Sequence, residues 1–162
     1  MRLVRATAGA AAIAAALAAV GYGAVSSGPA TTAQAKAKTV LVSTRSVKGL
    51  GQVLVDAKGR TLYMFVPDKQ KKVTCTGDCA ASWPPLKLPK GAKLAAGGKA
   101  KRSLLGSDPD PAGGRVVTYA HWPLYTYIAD TKPGEATGQA TNLNGGLWYV
   151  LSPAGKVIKK KP

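Results

Sequence analysis

The string YMFVPD, Tyr63 to Asp68, returns as YTYIAD, Tyr125 to Asp130, so the pattern tyrosine, any residue, aromatic, two residues, aspartate occurs twice at a spacing of 62. The match widens on both sides. Val55 and Leu62 correspond to Val117 and Leu124 at the same spacing, and Trp83 corresponds to Trp148 once three residues are inserted. Self-similarity at one period marks a duplicated structural unit that buries its apolar face against its neighbour. The chain is therefore expected to fold as two copies of one set of elements.

Those elements read as strands. Val40 to Thr44 is a β-branched run, while Gln52 to Asp56 and Thr61 to Val66 flank Ala57-Lys58-Gly59-Arg60, with Gly59 the expected positive-φ residue of a hairpin. The second copy repeats this with Arg115 to Tyr119 and Leu124 to Ile128 around Ala120, His121, Trp122 and Pro123. Pro123 has no backbone donor, so a strand begins there or lies at an edge. Leu147 to Leu151 and Lys156 to Ile158 form a further hairpin across Ser152-Pro153-Ala154-Gly155. After Trp83, by contrast, Pro84 and Pro85 exclude a central strand. Ser103 to Ser107 matches Leu41 to Arg45, and residues 88–102, rich in Lys, Ala and Gly, read as a mobile linker with at most one weak helical turn.

Many short strands with frequent Gly and Pro turns predict an all-β fold: two tandem β-hairpin-rich repeats packed pseudo-symmetrically as a small sandwich or barrel-like domain. Repeat one spans 40–91, a linker 92–102, repeat two 103–158 and a basic tail 159–162. Alternate side chains of a strand share a face. Tyr63 and Phe65 thus point one way, as do Tyr125 and Tyr127, and Leu62, Met64 and Val66 point the other. Both faces are apolar, which predicts a strand covered on two sides.

The paired YxFxxD and YxYxxD strings, the segment CTGDCAASWPPL, and HWPLYTYIADTKPGEATGQ followed by LWYVLSPAG resemble the bacterial secreted-repeat lipoproteins named for a Yx(FWY)xxD motif. The resemblance covers roughly Gly51 to Ile158 and carries several motifs in the right order. It implies a duplicated β domain outside the cytoplasm, in a family without an established biochemical activity.

The N-terminus has the three parts of an export signal: Arg2 and Arg5, the apolar stretch Ala6 to Val20, and the small-x-small site Ala33-Gln34-Ala35. Residues 1–35 are expected to be a signal peptide and residues 36–162 the exported domain, secreted or associated with a bacterial cell envelope. Lipoproteins carry a cysteine directly after the signal, and here the only cysteines are Cys75 and Cys79, so no lipid anchor is expected. Without residues 1–35 the chain keeps 21 Lys and Arg against 7 Asp and Glu, a net charge of +14. Such a field draws polyanions over about 8 Å at physiological salt. Outside a cell the matching partners are an anionic envelope polymer or an envelope protein, with extracellular nucleic acid admitted through charge alone. The lysines gather at Lys69, Lys71 and Lys72, between Lys87 and Arg102, and from Lys156 to Lys161. The first of these clusters is the candidate anion-binding loop.

The candidate chemistry is sparse. Tyr63, Phe65 and Asp68, with Tyr125, Tyr127 and Asp130, are the motif residues; the hydroxyls and carboxylates are expected to secure their own loops, since a turn aspartate accepts nearby amides and a buried phenol needs a partner. The alternative takes Asp68 and Asp130 as a pair for a cation, without the further carboxylates that calcium sites gather. Cys75 and Cys79, a nearby pair in an exported chain, are expected to form a disulfide, the alternative being a loop that cycles between thiol and disulfide. A metal at the cysteines would need further ligands, and His121, expected to be exposed in a turn, is the only histidine. No serine elbow, HExxH or phosphate-cradling glycine loop can be read. The sequence thus points to a monomeric, non-enzymatic envelope module with no cofactor or metal, the alternative being a redox accessory using Cys75 and Cys79.

Overall fold

A computed structural model of the chain describes residues 38–69 and 72–162. The expected export signal with its Ala33-Gln34-Ala35 site, and Lys71 of the candidate anion loop, lie outside the described residues. The β-branched run forms β1, Thr39–Val47, which turns back through Gly49 (φ 77°) into β2, Gly51–Asp56, in an antiparallel register from Val42 opposite Asp56 to Val47 opposite Gly51. Gly59 has the expected positive φ, 78°, in the turn that follows. There the Asp56 carboxylate accepts the amides of Lys58 and Arg60 and pairs with the Arg60 guanidinium. The first motif is β3, Tyr63–Phe65, ended by a single 3-10 turn, Val66–Asp68, at Pro67.

The remaining elements among the described residues are α1, Asp78–Ser82; β4, Lys93–Ala96; a second 3-10 turn, Arg102–Leu104; β5, Leu105–Pro109; β6, Arg115–Tyr119; β7, Trp122–Pro123; β8, Thr141–Leu143; β9, Gly146–Leu151; and β10, Val157–Ile158. They make three sheets, ordered β2-β1-β4, β10-β9-β3 with β8 also on β9, and β5-β6-β7. The all-β expectation holds, with three sheets and no closed barrel among the described residues.

Several local expectations are corrected. The segment 92–102, read as a linker, contains β4, which lies parallel to β1 from Thr39 opposite Lys93 to Val42 opposite Ala96. Its Leu-Ala-Ala core is too short to show a period, and pairing with a distant strand decides its state. The strand expected over Leu124 to Ile128 is displaced to β7; beyond it only Tyr125 bridges, to Tyr63 and to Pro85. The loop between β6 and β7 has just two residues, Ala120 (φ 49°) and His121 (φ 67°), both left-handed. This is the hairpin geometry that matches strand twist, built here without the glycine that normally announces it. Thr61 to Val66 shortens to β3 because Pro67 initiates the turn. The match to Leu41–Arg45 is Leu105–Pro109, two residues later than expected.

Interior side chains form two clusters on opposite sides of β3. One holds Val47, Leu50, Val53, Tyr63, Phe65, Cys75, Trp83, Tyr125, Trp148 and Val150; the other holds Val42, Leu54, Leu62, Met64, Val117, Tyr119, Leu124 and Leu151. Alternation along β3 therefore feeds both, as two apolar faces require. Burial of this kind removes roughly 150 to 250 Å² of apolar surface per aromatic ring. With Trp83, Trp148, Tyr63, Tyr119 and Tyr125 at 0 % exposure, the aromatics dominate the core.

Candidate functional site

Each motif pairs with the other repeat. In the first, β3 runs antiparallel to β9, with Tyr63 opposite Val150 and Phe65 opposite Trp148. In the second, Tyr125 bridges to Pro85, the Thr126 amide donates to the Pro84 carbonyl, the Ile128 amide to the Ser82 carbonyl, and the Leu86 amide to the Leu124 carbonyl. Proline can serve there because only its carbonyl is asked for. Tyr63 and Tyr125 meet at the centre, exchanging both backbone hydrogen bonds at 2.8 and 3.0 Å. Neither half is complete alone.

The side chains cross in the same way. The Tyr63 hydroxyl donates to Asp130 Oδ2 at 2.6 Å, and the Tyr125 hydroxyl donates to Asp68 Oδ2 at 2.5 Å. The sequence-based expectation that each aspartate secures its own loop is met by the other oxygen: Asp68 Oδ1 accepts the Thr74 amide and hydroxyl, both at 2.7 Å, and Asp130 Oδ1 accepts those of Thr137 at 2.9 and 2.6 Å. Each carboxylate is thus held by its own repeat through one oxygen and grips the other repeat through the second. Both aspartates are buried. Both oxygens are already occupied, so a shared cation pair is not the arrangement they form. Among the described residues no group of three or more potential metal-ligating side chains occurs.

Burial governs the electrostatics. It pushes the Asp68 carboxyl above the ordinary range, against the opposing hydrogen bonds from Tyr125 and from Thr74. Burial, followed by the hydrogen bond and charge of Asp130, drives the Tyr63 phenol far up; burial, then the charge and hydrogen bond of Asp68, does the same for Tyr125. Both phenols stay protonated and act as donors.

A stack of four rings runs beside the crossed pairs. Phe65 lies on Trp148 (centroids 4.2 Å), Trp148 on Trp83 (3.9 Å, planes 2° apart), and Trp83 on Tyr127 (3.9 Å). Tyr63 meets Trp83 edge-on at 5.3 Å, and Tyr125 meets Trp148 edge-on at the same distance. All six aromatic motif and tryptophan positions therefore join one assembly. Trp83 Nε1 donates to Asn144 Oδ1 and Trp148 Nε1 to the Leu143 carbonyl, so both indoles are satisfied by the β8–β9 hairpin.

Cys75 and Cys79 form the expected disulfide, which spans the start of α1; Cys75 is 2 % exposed. Lys69 and Lys72, which precede it in the chain, are exposed, and His121 is exposed in its turn. Thr74, Thr137, Gln139 and Asn144 were missed by sequence reasoning. Threonine six or seven positions after each aspartate is a readable extension of the motif, and Asn144-Gly145 between two β runs is a readable hairpin signal. Gln139 had no such signal. It accepts the Val150 amide and donates to the Ile158 and Lys160 carbonyls, and so ties β9 to the tail.

No curated protein and no solved structure matches the chain. A family does, twice: residues 44–87 contain Tyr63, Asp68, Thr74 and Trp83, residues 108–152 contain Tyr125, Asp130, Thr137 and Trp148, and together they cover more than half of the sequence. The crossed halves are two tandem copies of Lipoprotein_15, a secreted repeat of unknown function, and the chain belongs to that family.

Proposed function

We propose that the domain is a non-catalytic module of the cell envelope that holds an anionic polymer on its lysine-rich surface. The observation that carries this is the segregation of charge. Four of the seven carboxylates, Asp56, Asp68, Asp110 and Asp130, are buried. Asp56 is paired with Arg60 and Asp110 with Lys87, while Glu135 accepts the amides of Thr131 and Lys132. Every described lysine is exposed. The surface a partner meets is therefore more cationic than the net charge suggests, and negative charge there is too sparse to neutralise it locally. Lys69 and Lys72, with Lys71, and the Lys156 to Lys161 segment are the densest stretches.

Attraction of this type acts by displacing counterions and weakens as salt rises. The secreted form should bind polyphosphate and isolated cell wall at low ionic strength, release both at high ionic strength, and bind less tightly when Lys69, Lys71 and Lys72 are all changed to alanine. Retention that ignores ionic strength would remove this reading.

A further inference from the structure

The core gathers oxidisable rings around two buried carboxylates. Trp83 and Trp148 lie face to face with their planes 2° apart, and each is met edge-on by a tyrosine whose hydroxyl already donates to a carboxylate: Tyr63 to Asp130 and Tyr125 to Asp68. A near-parallel indole pair is the arrangement that lets one positive charge spread over two rings. The two ends of the stack differ. Phe65, at one end, is 3 % exposed and is the ring hardest to oxidise; Tyr127, at the other, is half-buried, lies on Trp83, and also meets Tyr63 edge-on at 6.5 Å.

We infer that this assembly accepts a single oxidising equivalent from a one-electron oxidant at the surface, through Tyr127 and the tryptophan pair, and holds it on Tyr63. The step balances as follows. One electron leaves the stacked rings for the oxidant, which is reduced by one electron, and leaves an indole radical cation on Trp83 and Trp148. One electron then passes from Tyr63 to that cation, while the phenolic proton moves along the existing 2.6 Å hydrogen bond to Asp130 Oδ2. The products are a neutral tyrosyl radical and a neutral carboxylic acid, so no net charge is created in the interior, where an unpaired charge is costly. Tyr63 is favoured over Tyr125 because it stands on the open side of the stack and because its oxygen also accepts the Gly138 amide at 3.3 Å, a second polar contact that Tyr125 lacks. Burial raises both phenols, so neither is ionised beforehand, and moving the proton with the electron avoids an unpaired cationic phenol in the interior.

The test is flash oxidation of the full domain with a photogenerated ruthenium(III) polypyridyl, followed by transient absorption and electron paramagnetic resonance. A tyrosyl signal is expected, formed more slowly in deuterated water because the proton moves with the electron. Tyr63→Phe, which keeps the ring, should lose that signal and leave an indole radical; Tyr125→Phe, which removes the equivalent hydroxyl of the other repeat, should retain it. Trp122→Phe, which removes the half-buried tryptophan outside the stack, should change nothing. Oxidation that stays on Trp122 or Tyr149, or an unchanged tyrosyl signal in Tyr63→Phe, overturns the inference. So does formation at equal rates in light and heavy water.

Discussion

Between the motif aspartate and the tryptophan that returns to the core, the two repeats do the same job with different parts. In the first, the chain from Asp68 bonds back through Thr74, is clamped at once by the Cys75–Cys79 disulfide, and makes the five-residue α1 before reaching Trp83. In the second, the chain from Asp130 bonds back through Thr137, passes Gly138, and reaches Trp148 through the β8–β9 hairpin, turned by Asn144 (φ 53°) and Gly145 (φ 83°). Gly138 occupies the place of Cys75, directly after the threonine. A Cβ there would stand 2.5 Å from the Trp83 ring, so this repeat gives up a side chain to let the other repeat's tryptophan in. The common core constrains the aspartate, threonine and tryptophan, and whatever delivers the tryptophan between them is interchangeable: a covalent clamp in one copy, a ladder of hydrogen bonds in the other.

If the comparison is right, the two tryptophans are equivalent and the two closures are not. Trp83→Ala and Trp148→Ala should each cost about 3–5 kcal/mol in urea unfolding, as large-to-small changes in a packed core do. A gap of more than about 2 kcal/mol between them would break the symmetry, on the same scale of cavity costs. The crossed hydrogen bonds give the next largest effect. Tyr63→Phe should cost about 1–3 kcal/mol by leaving Asp130 short of a donor, and more than Tyr125→Phe because the Gly138 amide also loses its acceptor. The wiring itself is sharpened by double-mutant cycles: Tyr63→Phe should couple to Asp130→Asn by about 0.5–3 kcal/mol and be additive with Asp68→Asn. Coupling within a repeat, rather than across, would refute it.

The closures come next. Removing the disulfide by Cys75→Ala with Cys79→Ala should cost about 2 kcal/mol, since a loop this short saves little unfolded-state entropy. Gly145→Ala should cost about 1 kcal/mol because an L side chain resists that backbone conformation. Thermal unfolding with and without reductant checks both: only the wild type and Gly145→Ala should respond to reduction. The smallest effect is on pH. The Asp68 carboxyl is raised in the folded state, chiefly by burial, so the folded protein binds that proton more tightly than the unfolded chain. Its contribution is fully present below the ordinary carboxylate value and is lost as pH rises through the raised one. Asp68→Asn should flatten that part of the melting-temperature profile; parallel profiles for variant and wild type would show that the first repeat's aspartate is not the strained one.

Duplication, strand content and two-sided burial of the motif were legible before any coordinates, because they depend on period and alternation, which are properties of neighbours in sequence. Tyr63, Asp68, Tyr125 and Asp130 could be named as the residues that hold the fold. Their partners could not: each hydroxyl was expected to secure its own loop, and it binds the other copy's aspartate. The strand β4 was hidden for a similar reason, since Lys93–Ala96 has no intrinsic pattern and becomes a strand by pairing with β1. Ala120 and His121 adopt a glycine's conformation only because β6 and β7 are already held.

Local chemistry was sufficient to specify which side chains had to leave water and which backbone could be extended, since those preferences act over a few residues. Which copy each hydrogen bond would reach, and that four rings would share one stack, was decided by the packing of two similar halves. A near-duplicate offers every donor two acceptors of identical type, and only the three-dimensional path of the chain can choose between them.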